Sequence, residues 1–430
     1  MEKVNSAFKA TAKSKHLTSQ GVLADSQGVS ETSLALRNLR GVVIILIVAF
    51  HSFSAYIVSQ PTGPPPFDNP PYAWRAFPII DSERWIGFDL LCAFLFLFLM
   101  QLMFFLSGLF VWPSLLHRGW GTFLVRRVLR LGVPFVVGTY LLMPLAFYPV
   151  YLRTAVDPAW SAFWSHWTAL PMSPAGPLWF LWFLLVLDIG AAVLFRFGPR
   201  AHFLSSILNK IVTDPARLFI VLMCVSAAAY FPLAAMYQPW QWIGYGPFEI
   251  QAAFAPQYAI YFAAGVAVGA YALERGLLDV NGMPVRRWHY WVLGSIAAFL
   301  LWIGPTALIM KGEATSVGGL QVVADLGLML FVGTACFGMI AVLLRYGTVR
   351  WQIIDQVSEN GYGIYFYHYP VVLWLQYAVL GIAFAAIAKG LIVLMGALSL
   401  SLAASIVTNR VLSTAGPILN KAGYSVLKSF

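Results

Sequence analysis

The sequence predicts an all-α fold: a polytopic membrane bundle of about ten transmembrane helices with both termini in the cytoplasm. Three observations predict it. Hydrophobic residues make up 60% of the 430 residues and charged residues 10%, where soluble chains carry roughly 25% charged. Mean hydropathy is +0.75. Apolar runs recur at the length a bilayer core demands of a helix, roughly 20 residues. So few charges cannot cover a soluble protein of this size. The same balance excludes disorder for most of the chain, and three cysteines, an odd number, exclude a disulfide scaffold.

The apolar segments lie near 41–59, 86–112, 131–152, 178–195, 218–237, 254–273, 288–310, 320–344, 362–386 and 390–408. The last two share a short turn around Lys389. Residues 1–35 are expected to form a disordered cytoplasmic tail, residues 36–412 the transmembrane domain, and residues 413–430 a short cytoplasmic tail. With the N-terminus inside, 22 of the 27 Lys and Arg residues fall on the inner side and 5 on the outer. That split is the positive-inside bias of a multi-pass protein of a bacterial inner membrane. It accounts for the net charge of +10 without any nucleic acid. Cys92, Cys224 and Cys336 all fall in apolar segments and read as small packing residues. The outer loop 60–85 holds six prolines between Pro61 and Pro71, interleaved with Phe67, Tyr72, Trp74 and Phe77. Such a stiff aromatic loop is either a lid that only packs or part of a site for an acceptor.

Ionisable groups are costly inside a membrane and usually face a cavity. Here they are His51, Asp89, Asp188, Asp325 and His368. Arg40 and His51 are separated by three helical turns plus about 20°, so they share one face, about 16 Å apart along the axis. Arg40 then sits at the inner interface and His51 deeper. Helix lengths place Asp188 and His368 at a similar depth, so one aqueous cavity is expected to hold His51, Asp188 and His368, with Asp89 and Asp325 nearer its outer mouth. The second inner loop carries Arg126, Arg127 and Arg130, spaced so that helical neighbours close on one anion. Taken alone, these arginines fit lipid head-group anchoring as well as a phosphate clamp. The phosphate-loop, zinc-protease and nucleophile-elbow motifs are absent, so neither nucleotide hydrolysis nor a metal site has support in the sequence.

Four stretches in this order resemble the integral-membrane acyltransferase 3 family. They are Leu39-Arg40-Gly41 with His51; Phe104-Phe105-Leu106-Ser107-Gly108-Leu109-Phe110; Arg126-Arg127-Val128-Leu129-Arg130; and Gly361-Tyr362-Gly363-Ile364-Tyr365 through His368-Tyr369-Pro370. Leu178-Trp179-Phe180 also looks like a family segment. The likeness covers about residues 35–410, and Leu109 departs from the family's usual Phe. No appended extracytoplasmic domain is expected after the tenth segment, so a two-step relay would need a separate protein.

The resemblance implies an O-acyltransferase that moves an acyl group, acetyl or another short one, from cytoplasmic acyl-CoA to a hydroxyl of a carbohydrate or glycoside. Acyl-CoA is then a co-substrate, with no permanently bound cofactor and no metal. Acyl transfer to a hydroxyl needs a base, a group that stabilises the oxyanion, and anchorage for the donor's phosphates. His51 is the candidate base, Arg126, Arg127 and Arg130 the candidate clamp, and Arg40 stands between the clamp and the deeper cavity. His368 or Asp188 is expected to orient the base or the acceptor. The competing reading is a secondary transporter or exporter whose polar residues line a path.

Overall fold

The computed structural model describes residues 30–198, 202–237, 241–312 and 317–421. Most of the expected N-terminal tail, residues 1–29, and half of the expected C-terminal tail, residues 422–430, lie outside the described residues. The principal helices are α1 (Glu31–Phe53), α2 (Ile86–Gly108), α3 (Trp120–Tyr151), α4 (Trp160–Ala169), α5 (Trp179–Phe197), α6 (Pro215–Ala234), α7 (Ala255–Tyr271), α8 (Trp288–Met310), α9 (Val317–Tyr346), α10 (Gly361–Val379) and α11 (Ala386–Lys421). Each of the ten expected segments is helical. Among the described residues, eight helices are long and apolar enough to cross a membrane. The other two segments are α7, only 17 residues, and α10, 19 residues diluted by Tyr, His and Gln.

The second inner loop is not a loop. After Gly119, whose φ of 74° lets the chain break from the helix Val111–Arg118, α3 starts at Trp120 and runs into the membrane. Arg126 and Arg127 sit in its second turn and Arg130 in a π-helical turn, Val128–Gly132. Phe123, Leu124 and Leu131 interleave apolar contacts with these cations, so the stretch is an amphipathic helix start.

α1 is the central strut, packed on α2, α9, α10 and α11. Its inner end is fixed by polar contacts. Asn38 is fully buried and donates to the carbonyls of Gly347 (2.6 Å) and Val349 (2.8 Å), which close the C-terminus of α9. Arg37 pairs with Asp355 at 2.7 Å. These bonds set the rotation of α1 one turn before Arg40. α2 is held by a close approach that the hydrophobic pattern does not reveal. Gly265 and Gly269 of α7 lie against the backbone of Phe105 and Leu109, and Gly108 lies against that of Phe262. Small residues four apart let two membrane helices meet backbone to backbone.

The outer face is capped. Phe67 and Trp74 of the loop are buried and stacked at 4.8 Å, and the Trp74 indole donates to the Phe67 carbonyl. They pack on Phe147, Tyr151 and Phe163 of α3 and α4. Arg75 pairs at 2.5 Å with Glu249 of a two-stranded antiparallel hairpin, β1 (Trp242–Tyr245) and β2 (Phe248–Gln251). That hairpin falls in a stretch the hydrophobic period leaves unassigned. Lys389, expected in an outer turn, is instead 1% exposed inside α11. Its ammonium donates to both carboxylate oxygens of buried Asp81 at 2.8 and 3.0 Å. A buried cation requires such a partner, and this one ties the loop to the last helix. Of the cysteines, Cys92 and Cys336 are buried, whereas Cys224 lies on the helix surface.

Candidate active site

At the arginine-rich end of the bundle, α1, α2, α3, α5 and α10 enclose a cavity of about 530 Å³. Its lining holds five arginines, Arg40, Arg118, Arg126, Arg127 and Arg130, and no carboxylate. The deeper wall is apolar, formed by Ile44, Met103, Leu106, Phe180 and Leu184, with Ser107 and Tyr365 as polar marks. The Arg40 guanidinium lies over the Phe110 ring at 4.3 Å, and Arg130 lies 5.6 Å from the centre of the Tyr362 ring. Aromatic faces hold a cation without neutralising it. The Tyr362 hydroxyl donates to the Arg130 carbonyl at 2.5 Å, a bond offered by the π turn. Neither Arg40, Arg118 nor Arg130 has a carboxylate within ion-pair distance among the described residues. A concave surface with this excess of guanidinium groups attracts an anion with several charges, and an apolar wall behind it suits an uncharged arm.

Asp188 belongs to this end. It is fully buried on α5 and lies 3.2 Å from the Nε of Arg127. The expectation of a single cavity holding His51, Asp188 and His368 is therefore corrected: a buried carboxylate needs a cation, and Arg127 is the one in reach. Asp89 is a backbone clamp. Its two oxygens accept the N–H groups of Val58 (2.7 Å) and Ser59 (2.8 Å) where the chain leaves α1. Asp325 accepts from Tyr230 (3.3 Å) and Gln321 (3.1 Å) in the α6–α9 part of the bundle.

His51 and His368 do come together. Their ring centroids are 5.2 Å apart. His51 lies in the last turn of α1, half-buried between Phe50 at 5.0 Å and Tyr369 at 5.2 Å. Its carbonyl, one of the orphans at a helix C-terminus, accepts from Ser54 Oγ and from Gln376 Nε2, both at 2.8 Å. Gln376 also donates to the Ser52 carbonyl at 3.2 Å. His368 is fully buried, with Nδ1 2.6 Å from the Tyr365 carbonyl oxygen. The pair stands beyond the deep wall of the cavity. Tyr365 is the shared element: it lines the cavity, its hydroxyl donates to the Pro177 carbonyl, and one turn later the helix presents His368. Gly176, at φ 50°, lets the Gly176–Leu178 turn lie against the Tyr369 ring, where a Cβ would stand 3.0 Å away.

Sequence reading names His51, Arg40, His368, Arg126, Arg127 and Arg130 as candidates; it does not single out Gln376, Arg118, Phe110 or the place of Tyr365 in the cavity wall. Gln376 was recoverable only as a polar residue in an apolar segment, because eight residues turn it about 80° around the helix from His368. Arg118 enters the sequence reading only through the inner-side charge count, because its return to the cavity depends on the break at Gly119.

The arrangement sets a cationic cavity with an apolar deeper wall next to an imidazole pair on the far side of Tyr365. No curated protein and no solved structure matches the chain. A family model described as an acyltransferase domain matches residues 33–410. The chain therefore belongs to the acyltransferase 3 family and is a multi-pass membrane acyltransferase.

Proposed function

We propose that this acyltransferase moves a short acyl group, acetyl or a close relative, from cytoplasmic acyl-CoA to a hydroxyl of a carbohydrate or glycoside. The observation that carries the reading is the five-arginine cavity whose apolar wall ends at Tyr365, one turn from His368 and its neighbour His51. The arginine-rich end faces the cytoplasm, where the charge bias puts it. Arg126, Arg127 and Arg130 hold the phosphates of CoA, and Asp188 orients Arg127. The pantetheine arm lies along Met103, Leu106 and Phe180. Tyr365 stands between that channel and His51, so the thioester reaches the histidine by displacing the ring.

His51 takes the proton of the acceptor hydroxyl as its oxygen attacks the thioester carbon. The carbonyl electrons move to oxygen; Arg40, about 16 Å from His51 along α1, stands in the cavity over Phe110 and draws the donor inward rather than touching that charge. Collapse breaks the C–S bond, and the thiolate takes the proton back from His51. The acceptor enters from the capped face, below the Phe67–Trp74 lid.

Donor binding tests the clamp. Replacing Arg126, Arg127 and Arg130 together with Ala should weaken the binding of radiolabelled acetyl-CoA by 10²-fold or more. A charged hydrogen bond contributes about 1.5–3 kcal/mol and such losses do not fully add. With Asp188→Asn added, so that no buried carboxylate loses its partner, the variant should still accumulate in membranes. Unchanged affinity leaves these arginines as lipid anchors and removes the donor site.

A further inference from the structure

A base that serves as His51 is proposed to serve needs one tautomer and one orientation, and no hydrogen bond reaches its ring among the described residues. Its neighbour has the complementary property. The His368 Nδ1 lies 2.6 Å from the Tyr365 carbonyl oxygen. A carbonyl only accepts, so this nitrogen carries the hydrogen, and in the neutral ring Nε2 is left with a lone pair. That Nε2 is buried and has no partner among the described residues. Buried polar atoms are seldom left so, and each exception calls for an explanation. Neither ring has a carboxylate within ion-pair distance among the described residues.

We infer that His368 is the positioning residue for His51, an inference that rests on His51 being the base. Its Nε2 accepts the N–H of the His51 ring once substrate fills the site, so the other His51 nitrogen presents its lone pair to the acceptor hydroxyl. The geometry permits this with a modest ring rotation. Centroids at 5.2 Å and an interplanar angle of 44° allow facing ring nitrogens to meet at about 3 Å, a hydrogen-bond length. Tyr369 and Phe50 pack edge-on against His51 and limit how else the ring can turn. Gln376, on the same helix as His368, fixes the His51 carbonyl. One helix, α10, thus holds both the backbone and the ring of the base.

The order is Tyr365 carbonyl, His368, His51, acceptor hydroxyl. The acceptor proton passes to the lone-pair nitrogen of His51 as the new C–O bond forms. His51 then carries two N–H groups, and the second stays donated to His368, which remains neutral throughout. When the C–S bond breaks, the thiolate recovers the proton from His51. An imidazole lone pair in this position does what a carboxylate does in other His-based sites: it fixes the tautomer and steadies the imidazolium.

Two substitutions separate this role from a structural one. In His368→Asn the amide nitrogen can keep the bond to the Tyr365 carbonyl, but nothing reaches the Nε2 position. In His368→Gln the longer side chain can put an oxygen near Nε2 and gives up the Tyr365 bond. Transfer from [14C]acetyl-CoA to a panel of neutral mono- and oligosaccharides is measured with the full chain in vesicles. Positioning predicts that Asn lowers kcat by about 10–100-fold, the loss typical when the partner orienting a metal-bound imidazole is removed. KM for acetyl-CoA stays within about twofold, and Gln recovers part of the rate. In a His51→Ala background, His368→Asn should cost nothing further. The reverse order, Asn active and Gln inactive, or an equal additional loss without His51, overturns the inference while leaving His51 as base. A wild-type rate in His51→Ala overturns the base reading and this inference with it.

Discussion

Replacing His51 with Ala is expected to lower turnover by about 10²–10⁴-fold, the usual size of a general-base loss. Acetyl-CoA binding should be unchanged. The reason is geometric: Arg127 and Arg130 lie against Phe123 and Tyr362 in the cavity, whereas His51 stands past Tyr365, seven residues along α1 from Ile44 in the wall. Seven residues are about 10 Å of helix. The protein should also reach the membrane in normal amount. Among the described residues the side chain makes ring contacts and no hydrogen bond, and the bonds that cap α1 use its carbonyl, which Ala retains. The measurement is single-turnover label transfer beside equilibrium donor binding on the same preparation. Loss of both together, or loss of protein from the membrane, marks a structural histidine. Intact transfer removes it as base.

Replacing Lys389 with Met should destabilise the fold by about 3–5 kcal/mol, because it leaves Asp81 charged and buried without its partner. Both side chains are almost wholly inaccessible, 1% and 0% exposed, and a third bond at 3.3 Å joins the ammonium to the Leu380 carbonyl. Adding Asp81→Asn should recover much of the loss, since the penalty comes from the orphaned charge more than from the missing attraction. Thermal unfolding in detergent reads both variants. A Lys389→Met protein as stable as wild type would show that water reaches the pair and that the loop is not fixed by it.

Much of this was legible in the chain because a bilayer imposes strict rules. A membrane helix must satisfy its own backbone, so apolar length alone located the helices, as with Trp288–Met310, whose observed ends match the expected 288–310. Intramembrane charge is rare, so His51, Asp188 and His368 stood out by composition. What those groups touch was not legible. Asp188 turns to Arg127 and Asp89 to the Val58 and Ser59 amides because of helix rotations that periodicity does not specify. The arginine stretch read as a loop because cations dilute its hydropathy, although its apolar residues recur at helical spacing. The hairpin, the Gly265–Gly269 contact and the Lys389–Asp81 pair depend on partners far away in sequence, which a single sequence does not disclose.

Sealed vesicles offer the most direct test of the central claim, that an acyl group passes from acyl-CoA at the arginine-rich face to a carbohydrate hydroxyl. [14C]acetyl-CoA is added outside inverted and right-side-out vesicles containing the full chain, with the neutral saccharide panel supplied on the opposite side, and ester-linked label and free thiol are counted. Inverted vesicles, which turn the cytoplasmic face outward, should release thiol and form labelled ester in equal amounts, and right-side-out vesicles should form none. Ester formation only from right-side-out vesicles, or passage of label without a covalent product, would contradict it.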